Sequence, residues 1–378
     1  GCTGVALVDG SGSAAMLLST YYGAGTAGTL TGNVATGNSV GVYVGYDAAD
    51  ASALVAHSND LSGNEDAGVV STSGTVTVDA SANWWGTYTA TGVAAAVSGT
   101  VDYTPWFHNS GDMSGSAGFQ GDYSVLDVDD DSPQTGTVAR IQEAIGLVSG
   151  STVNLAPGLY LASNTLLDRS LVLQGAGASR EDVVLAPAAE DGNADNAFAN
   201  SAQNGLVVKA HDVTIRHLTL DGRGNPALTP GKNNFRAGIV TLDASQAGGG
   251  AWNNLHVDDV LVKYAYRRGI SVYPTTVSGT IIENSRVEYT AFNHGMYLAG
   301  VSQALDNTIH HCFQGIVQAL DTLTPAGTCV VSGNTLTSIG NFPGCWGDQG
   351  GGVYAGQPRA IQFNNSNSAG RTVEIRDN

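Results

Sequence analysis

The sequence repeats a short apolar run that begins with glycine each time: Gly238-Ile-Val-Thr-Leu, Gly269-Ile-Ser-Val-Tyr, Gly295-Met-Tyr-Leu and Gly315-Ile-Val-Gln. The last three starts lie 26 and 20 residues apart. A repeat of this length is typical of stacked supersecondary units. Such short strands cannot bury an apolar face alone, whereas parallel strands stacked at about 4.8 Å can. The stretch therefore predicts a parallel β-helix.

A second family of runs, each carrying Asn or Asp, alternates with the glycine-led runs. Asn284, Asn307 and Asn334 lie in this family, 23 and 27 residues apart. The N-terminal region repeats the theme more loosely, with Gly41 and Gly68 separated by 27 residues. An Asn at a recurring turn can adopt a left-handed backbone conformation and can bond to the Asn of the next coil. We therefore expect asparagine ladders along the stack.

Composition narrows the class of protein. A chain of 378 residues is longer than one ordinary core supports, so two units are expected. Glycine (51 residues) far exceeds proline (10), which suits many tight turns. The net charge of −18 repels a phosphate backbone, so nucleic acid is not an expected partner. Acidity instead suits divalent cations, a salty medium or solubility. The sequence has no run of 18 apolar residues, so no transmembrane segment is predicted.

Two aromatic motifs indicate where a first stack ends. Asn83-Trp-Trp-Gly is followed by Val101-Asp-Tyr-Thr-Pro-Trp-Phe, and large side chains suit the open end of an all-β core. We expect residues 1–110 to be the C-terminal coils of a first β-helix. Residues 111–134 then read as an acidic Gly/Ser linker, and residues 135–378 as a second β-helix that is incomplete at its C-terminus.

A short helix is predicted near 137–149, at the start of the second stack. Ile141, Ala144, Ile145 and Val148 share one face at helical spacing. A helix ahead of short strands covers the first edge of a new sheet. We therefore expect this segment to cap the second stack.

The quoted motifs carry a resemblance to known proteins. Asn83-Trp-Trp-Gly with Val101-Asp-Tyr-Thr-Pro-Trp-Phe resembles the closing motif of secreted bacterial right-handed β-helix repeat proteins. Ile141-Gln-Glu-Ala-Ile, Thr152-Val-Asn-Leu-Ala-Pro-Gly-Leu-Tyr and Leu173-Gln-Gly-Ala-Gly together resemble the opening of pectin-lyase-like β-helices. The resemblance implies an all-β chain of two consecutive right-handed parallel β-helices, secreted or at the cell surface.

The resemblance leaves the activity open. The fold hosts lyases, hydrolases, epimerases, adhesins and scaffolds. Pectin-hydrolysing relatives show paired aspartates with Gly-His-Gly, and alginate epimerases show Asp-Pro-His-Asp, and neither string occurs in this sequence.

A run of carboxylates offers a possible calcium site. Asp127, Asp129, Asp130 and Asp131 are closely spaced, and Ca²⁺ takes about 6–8 oxygen ligands. The EF-hand spacing is absent, so a solvated acidic linker is the competing interpretation. Apart from this possible calcium, no cofactor is required.

Polar residues stand directly before three of the repeated glycines. Aligning the coils places Arg268, His294 and Gln314 in one column, with about 5 Å between neighbours. Tyr273 and Tyr297 follow on the outward face of the same strands. Arg268 as carboxylate clamp, His294 as base and Tyr297 as acid would suit a uronate lyase or epimerase. The alternatives are a sugar-binding groove without catalysis and ordinary polar turns.

A tryptophan and three cysteines in the C-terminal part of the chain carry two further predictions. Trp346, in a long polar loop, favours a ligand site if it lies beside the column. Cys312, Cys329 and Cys345 allow one disulfide, which fits an extracellular protein, or three buried thiols.

The function predicted from these features is structural. The chain starts and stops within a repeat, carries two stacks and has no enzyme signature, so we expect a stalk, adhesin or filament subunit cut from a longer polypeptide. Its partners would be further copies or other surface proteins, with polysaccharide possible. A polysaccharide lyase or epimerase and a glycan-binding module are the alternatives.

Overall fold

The computed structural model describes residues 2–3, 13–192, 202–242, 249–340, 358–365 and 370–378. The chain divides into two units, residues 1–156 and residues 157–378. Short strands stacked in parallel sheets form the framework of each unit, which confirms the predicted parallel β-helix. In the part of the chain that the structure describes, no helix is long and apolar enough to cross a membrane.

The first unit consists of short strands and two short helices. Its elements in chain order are β1 (Ala14–Leu18), β2 (Ala27–Thr31), β3 (Val40–Val44), β4 (Ala53–His57), β5 (Ala67–Ser71), β6 (Val78–Asp79), α1 (Ala90–Ala95), β7 (Val97–Ser98), β8 (Val101–Asp102), β9 (Trp106–Phe107), β10 (Val125–Val128), α2 (Arg140–Leu147) and β11 (Thr152–Leu155). One parallel sheet has the order β1-β3-β5-β7, and a second has the order β2-β4-β6-β8. Each coil therefore gives one strand to each sheet.

An asparagine ladder and an aromatic cluster stabilise the first unit. The Asn33 amide donates to Asn59 at 2.9 Å, and that of Asn59 donates to Asn83 at 3.0 Å, one coil further on. Beyond the ladder, Trp85 and Trp106 are 3% and 0% exposed within the core. The motifs expected to close the first stack therefore do supply buried aromatic side chains.

Residues 125–129, within the linker predicted at 111–134, differ from the solvated segment that the acidic composition predicts. Strand β10 pairs antiparallel with β9 and parallel with β11, and helix α2 packs against β10 and β11. Asp127 and Asp129 are only 6% and 4% exposed. The apolar residues between the carboxylates, Leu126 and Val128, are fully buried, and this burial draws the segment into a sheet. The predicted helix at 137–149 is confirmed as α2, but it belongs to the first unit.

The second unit is a longer stack. Its strands are β12 (Gly158–Leu161), β13 (Thr165–Leu167), β14 (Leu171–Gly175), β15 (Val183–Ala186), β16 (Leu206–Val208), β17 (Val213–Asp221), β18 (Phe235–Thr241), β19 (His256–Lys263), β20 (Ala265–Val272), β21 (Ser278–Glu283), β22 (Arg286–Glu288), β23 (His294–Ala299), β24 (Val301–Leu305), β25 (Thr308–His310), β26 (Gln314–Leu320), β27 (Gly327–Ser332), β28 (Thr335–Thr337), β29 (Ile361–Asn365) and β30 (Arg371–Arg376), with a 3-10 turn at Arg180–Asp182.

The strands of the second unit form two long rows and a shorter third row. One row is β13-β16-β18-β20-β23-β26-β29, and another is β14-β17-β19-β21-β24-β27-β30. Strand β19 pairs with β21 through its first half and with β22 through its second half. A third row, β22-β25-β28, therefore runs beside the second.

The repeated glycines form a column at the start of one row of strands. A Cβ built on Gly269 would lie 2.3 Å from Val287 Cγ1 and 2.6 Å from the carbonyl oxygen of Gly295. Gly238, Gly295 and Gly315 are crowded in the same way, each by an apolar side chain and by the carbonyl of the next coil. The glycines are thus required by close backbone approach, which explains the repeat that predicts the fold.

The asparagine ladder of the second unit contains the predicted Asn307 and Asn334, but Ser285 takes the place predicted for Asn284. Its members are Ser285, Asn307, Asn334 and Asn378, where the backbone N–H of Ser285 donates to Asn307 at 3.0 Å and the asparagine amides follow at 3.0 and 2.8 Å. Asn284 instead occupies the preceding turn, with a φ of 49°. The left-handed turn residue and the ladder residue are neighbours, and the sequence pattern alone does not separate them.

The described cysteines are free thiols. Cys312 and Cys329 are buried and Cys2 is exposed. Burial raises the pKa of the Cys312 thiol to about 11, so this thiol stays protonated and unreactive. Cys345 lies outside the described residues.

Candidate functional site

Three neighbouring strands of the second unit bring the predicted column together. Arg268 on β20 pairs with His294 on β23, and His294 pairs with Gln314 on β26. The glycine that follows each of these residues holds the three coils in register. Consecutive parallel strands lie about 4.8 Å apart, so the three side chains start within reach of one ligand.

Two tyrosines flank the arginine of the column. The rings of Tyr273 and Tyr297 stack with centroids 4.7 Å apart and an interplanar angle of 29°. The guanidinium carbon of Arg268 lies 5.3 Å and 5.4 Å from these two centroids, which is within cation–π range. The His294 ring lies 5.4 Å from that of Tyr297. The five predicted residues Arg268, His294, Gln314, Tyr273 and Tyr297 therefore form one cluster.

The cluster contains buried polar atoms that have no partner within the described residues. They are Nδ1 of His294, Oδ1 of Asn293 and Nε of Arg268, and His294 and Asn293 are only 8% and 4% exposed. A buried donor or acceptor without a hydrogen bond costs about 1–3 kcal/mol. Arg268 and His294 are register partners and Asn293 directly precedes His294, so polar groups of a ligand at this column could satisfy these atoms.

Positive charge dominates the cluster. Burial, followed by the charges of Arg268 and Arg267, lowers the pKa of His294 to about 3, although a hydrogen bond with Gln314 acts in the opposite direction. The imidazole is therefore neutral at physiological pH. Arg268 forms no salt bridge with any carboxylate among the described residues. On a chain of net charge −18, this cluster is a local region of positive charge, which attracts anions.

The arrangement combines two recognition elements. An arginine without a carboxylate partner can bind a carboxylate through charge-assisted hydrogen bonds. A tyrosine pair offers an apolar surface with polar ends, to which the apolar face of a sugar ring can bind. Trp346, the sixth predicted member, lies outside the described residues.

The predicted calcium ligands do not converge. Asp127 accepts from His108 Nδ1 and Asn154 Nδ2, both at 2.8 Å, whereas Asp129 accepts from Thr104 and Ser132 at 3.3 and 3.2 Å. Burial raises the pKa of both carboxyls. Over the described ranges, no group of three or more His, Cys, Asp or Glu side chains has a geometry suited to a metal. Calcium binding at 127–131 stays a prediction.

A second polar cluster, in the first unit, was not predicted. An open groove of about 550 Å³ runs over β2, β4 and β6 and is lined by Ala27, Gly28, Thr29, Ala53, Leu54, Val55, Thr77, Asp79 and Thr135.

Asp79 of this groove also belongs to a small polar cluster, in which His57 Nε2 lies 2.8 Å from Asp79 Oδ1 and 3.0 Å from Ser81 Oγ. Because one nitrogen contacts both partners, this is not the relay of a serine hydrolase. The only signal in the sequence is the coil-length spacing of His57 and Asp79, 22 residues apart.

The chain was compared with protein-family models, curated proteins and solved structures. The sequence matches no protein-family model and no curated protein. Among solved structures it is similar to a pectin methylesterase in complex with a hexasaccharide, at 15% identity and a TM-score of 0.26. The similarity covers 56% of this chain and 65% of the pectin methylesterase, just under two thirds of that protein. At this identity and TM-score no activity can be transferred.

The parallel sheets and the site together define the class. The chain is a parallel β-helix protein, as the resemblance to pectin-lyase-like sequences implies, and one side of its second unit carries a basic, aromatic cluster.

Proposed function

We propose that this protein is an extracellular β-helix protein that binds an acidic polysaccharide at the Arg268–His294–Gln314 column. The observation that carries the proposal is the set of buried, unpartnered polar atoms of Arg268, Asn293 and His294. Each buried polar atom without a hydrogen bond lowers the stability of the free protein. In a purely structural protein this cost would have no compensating benefit. A ligand with acidic and hydroxyl groups would satisfy them.

The charge of the cluster favours an acid sugar. A carboxylate beside Arg268 gains charge-assisted hydrogen bonds in a half-buried site, where they are stronger than in water. The sugar ring itself would pack against Tyr297, which is partly exposed. A small inorganic anion would use Arg268 but would leave the tyrosine pair and Asn293 without a role. A uronate chain engages all of them.

Calorimetric titration with a galacturonate hexamer tests the proposal. Arg268→Gln is expected to weaken binding at least tenfold, equivalent to about 1.4 kcal/mol or more. Arg286→Gln is the matched control, because it also removes one positive charge, on a side chain that is 45% exposed and paired with Glu288. Equal loss in both variants, or no binding by the wild-type chain, would overturn the proposal.

A uronate lyase or epimerase is the second candidate. It is supported by the proximity of Tyr297 to His294, an acid and a base beside an arginine. The low pKa of His294 makes it a weak base in the free protein, so binding comes first in our proposal. An absorbance rise at about 235 nm on polyuronates would show the proton abstraction and elimination of a lyase. Product analysis by NMR would show epimerisation.

The rod-like role and the location are proposals of their own. Secretion or cell-surface display is supported by the resemblance of the motifs, and a stack of parallel strands is a natural stalk or filament subunit. Fractionation of the source cells tests the location. Electron microscopy with size-exclusion chromatography tests self-association, and a monodisperse monomer at high concentration would exclude a filament.

A further inference from the structure

We infer that His294 selects a carboxylate-bearing sugar over its uncharged ester, because it takes up a proton as the carboxylate binds beside Arg268. This inference rests on the proposed function and specifies how the same site distinguishes its ligands. The site would then bind the acid form of a polyuronate and reject the methyl-esterified form.

The geometry places His294 where a bound anion must affect it. It lies between Arg268 on β20 and Gln314 on β26, in direct register with both. It is more than nine-tenths buried, and its Nδ1 has no partner among the described residues. The neighbouring groups are the positive Arg268 and Arg267, the neutral Gln314 amide and the Tyr297 ring. Within the described part of the chain, the groups that shift the pKa of this imidazole include no carboxylate.

Electrostatics gives the direction of the effect. Without ligand, burial and the two arginines hold the pKa of His294 at about 3, so the ring carries no proton. A carboxylate beside Arg268 cancels the positive potential and accepts a hydrogen bond from the protonated ring. Both changes raise the pKa of His294 in the complex. An ester has no charge, so it leaves the ring neutral and gains no such contact.

Linkage converts this shift into a measurable change in affinity. If binding restores the pKa of His294 to its ordinary 6.5, the acid ligand binds about tenfold more tightly at pH 5.5 than at pH 7.5. The complex then takes up about 0.9 proton at the lower pH and about 0.1 at the higher. A uronate carboxyl, with a pKa of about 3.5, stays ionised at both.

The experiment is calorimetry of the intact chain with a galacturonate hexamer and its methyl ester, in buffers of different ionisation enthalpy. We expect proton uptake and a pH-dependent affinity for the acid, and neither for the ester. Binding of the acid with no proton uptake overturns the role of His294 but leaves the proposed function standing. No binding at either pH overturns both.

Two variants separate this role from a structural one. His294→Gln is expected to bind the acid weakly, with an affinity that changes less than about twofold between the two pH values. His310→Gln, which alters a histidine of the next coil bonded to Thr337, should retain the full pH dependence. Should His294→Gln not fold, NMR titration of the His294 ring in the wild-type chain, with and without ligand, measures the same shift. An unchanged titration overturns the inference.

Discussion

Tyr273 and Tyr297 lie one coil apart with their rings stacked at 4.7 Å, and the guanidinium of Arg268 faces both. The two tyrosines are not register partners, because Tyr297 pairs with Ser271 and Tyr273 follows directly after the end of β20. The stacked rings therefore hold Arg268 next to the surface that we propose binds a sugar.

Removing one ring of this pair should weaken ligand binding. Tyr297→Leu loses both the stacking surface and a cation–π partner of Arg268, and we expect about tenfold weaker binding of the galacturonate hexamer. Tyr297→Phe keeps the ring and should stay within about threefold. Calorimetry measures both, with Tyr88→Leu, a 56% exposed tyrosine of the first unit, as the control. A larger loss in Tyr297→Phe than in Tyr297→Leu would contradict the stacking role.

Replacing a glycine of this column by alanine should lower the stability of the second unit substantially. Gly269→Ala forces a Cβ against Val287 and the Gly295 carbonyl, so the second unit should lose about 2–3 kcal/mol in free energy of unfolding. Gly146→Ala, in helix α2, meets no atom within 4 Å and should be neutral or stabilising by up to about 1 kcal/mol. Urea denaturation distinguishes the two. Similar effects at both positions would show that crowding is not the reason for the column.

The membership of the asparagine ladder can be tested by comparing the ladder residue Asn307 with the turn residue Asn284. Asn307 is 1% exposed, donates to the Ile282 carbonyl at 2.8 Å and accepts from Ser285. Asn307→Ala leaves these groups unpaired and should cost about 2–4 kcal/mol. Asn284→Gly keeps a residue that tolerates positive φ and should cost less than about 1 kcal/mol. Thermal unfolding measures both losses of stability. A larger loss in Asn284→Gly than in Asn307→Ala would contradict the assignment of Asn307 to the ladder.

The first unit should be more stable in mildly acidic than in alkaline solution. Burial, then the charges of Asp102 and Asp79, raises the pKa of the half-buried Glu143 from 4.5 to about 7. Between these two values the folded state binds more protons than the unfolded chain, so stability falls as pH rises. The contact with Asp79 raises the pKa of His57 too, and the stability this contact provides is likewise lost as pH rises. Together they should remove on the order of 2 kcal/mol between about pH 5 and pH 8.

The variant Glu143→Gln checks this assignment. Its unfolding free energy should change much less over the same pH range, because the contribution of Glu143 is removed while that of His57 remains. Glu65→Gln, at an exposed position of the same unit, should behave like the wild-type chain. An unchanged pH profile in Glu143→Gln would exclude Glu143 as the origin.

The fold and the column of polar residues can be predicted from the sequence, because both repeat once per coil. The hydrogen-bond partners of individual side chains cannot, because these partners come from distant parts of the chain. Gly269 and Gly295 mark close approaches that recur once per coil, so the fold and the column of Arg268, His294 and Gln314 follow from their spacing. The unpartnered Nδ1 of His294 depends on which groups of other coils fail to reach it, and no spacing encodes that. Asp127 looked solvated for a similar reason, since its partners His108 and Asn154 come from distant segments.

The glycine column also has a consequence for how such a chain can change. Glycines 205, 238, 269, 295 and 315 are each crowded against the next coil, although the coils between them contain 33, 31, 26 and 20 residues. The backbone contacts of these glycines therefore fix where each coil lies, whatever the number of residues between them. Insertions and deletions between the glycines can remodel the walls around Arg268 and His294 while every coil returns to the same place. A collection of variants with exchanged loops on this one scaffold is therefore a practical route to new sugar specificities.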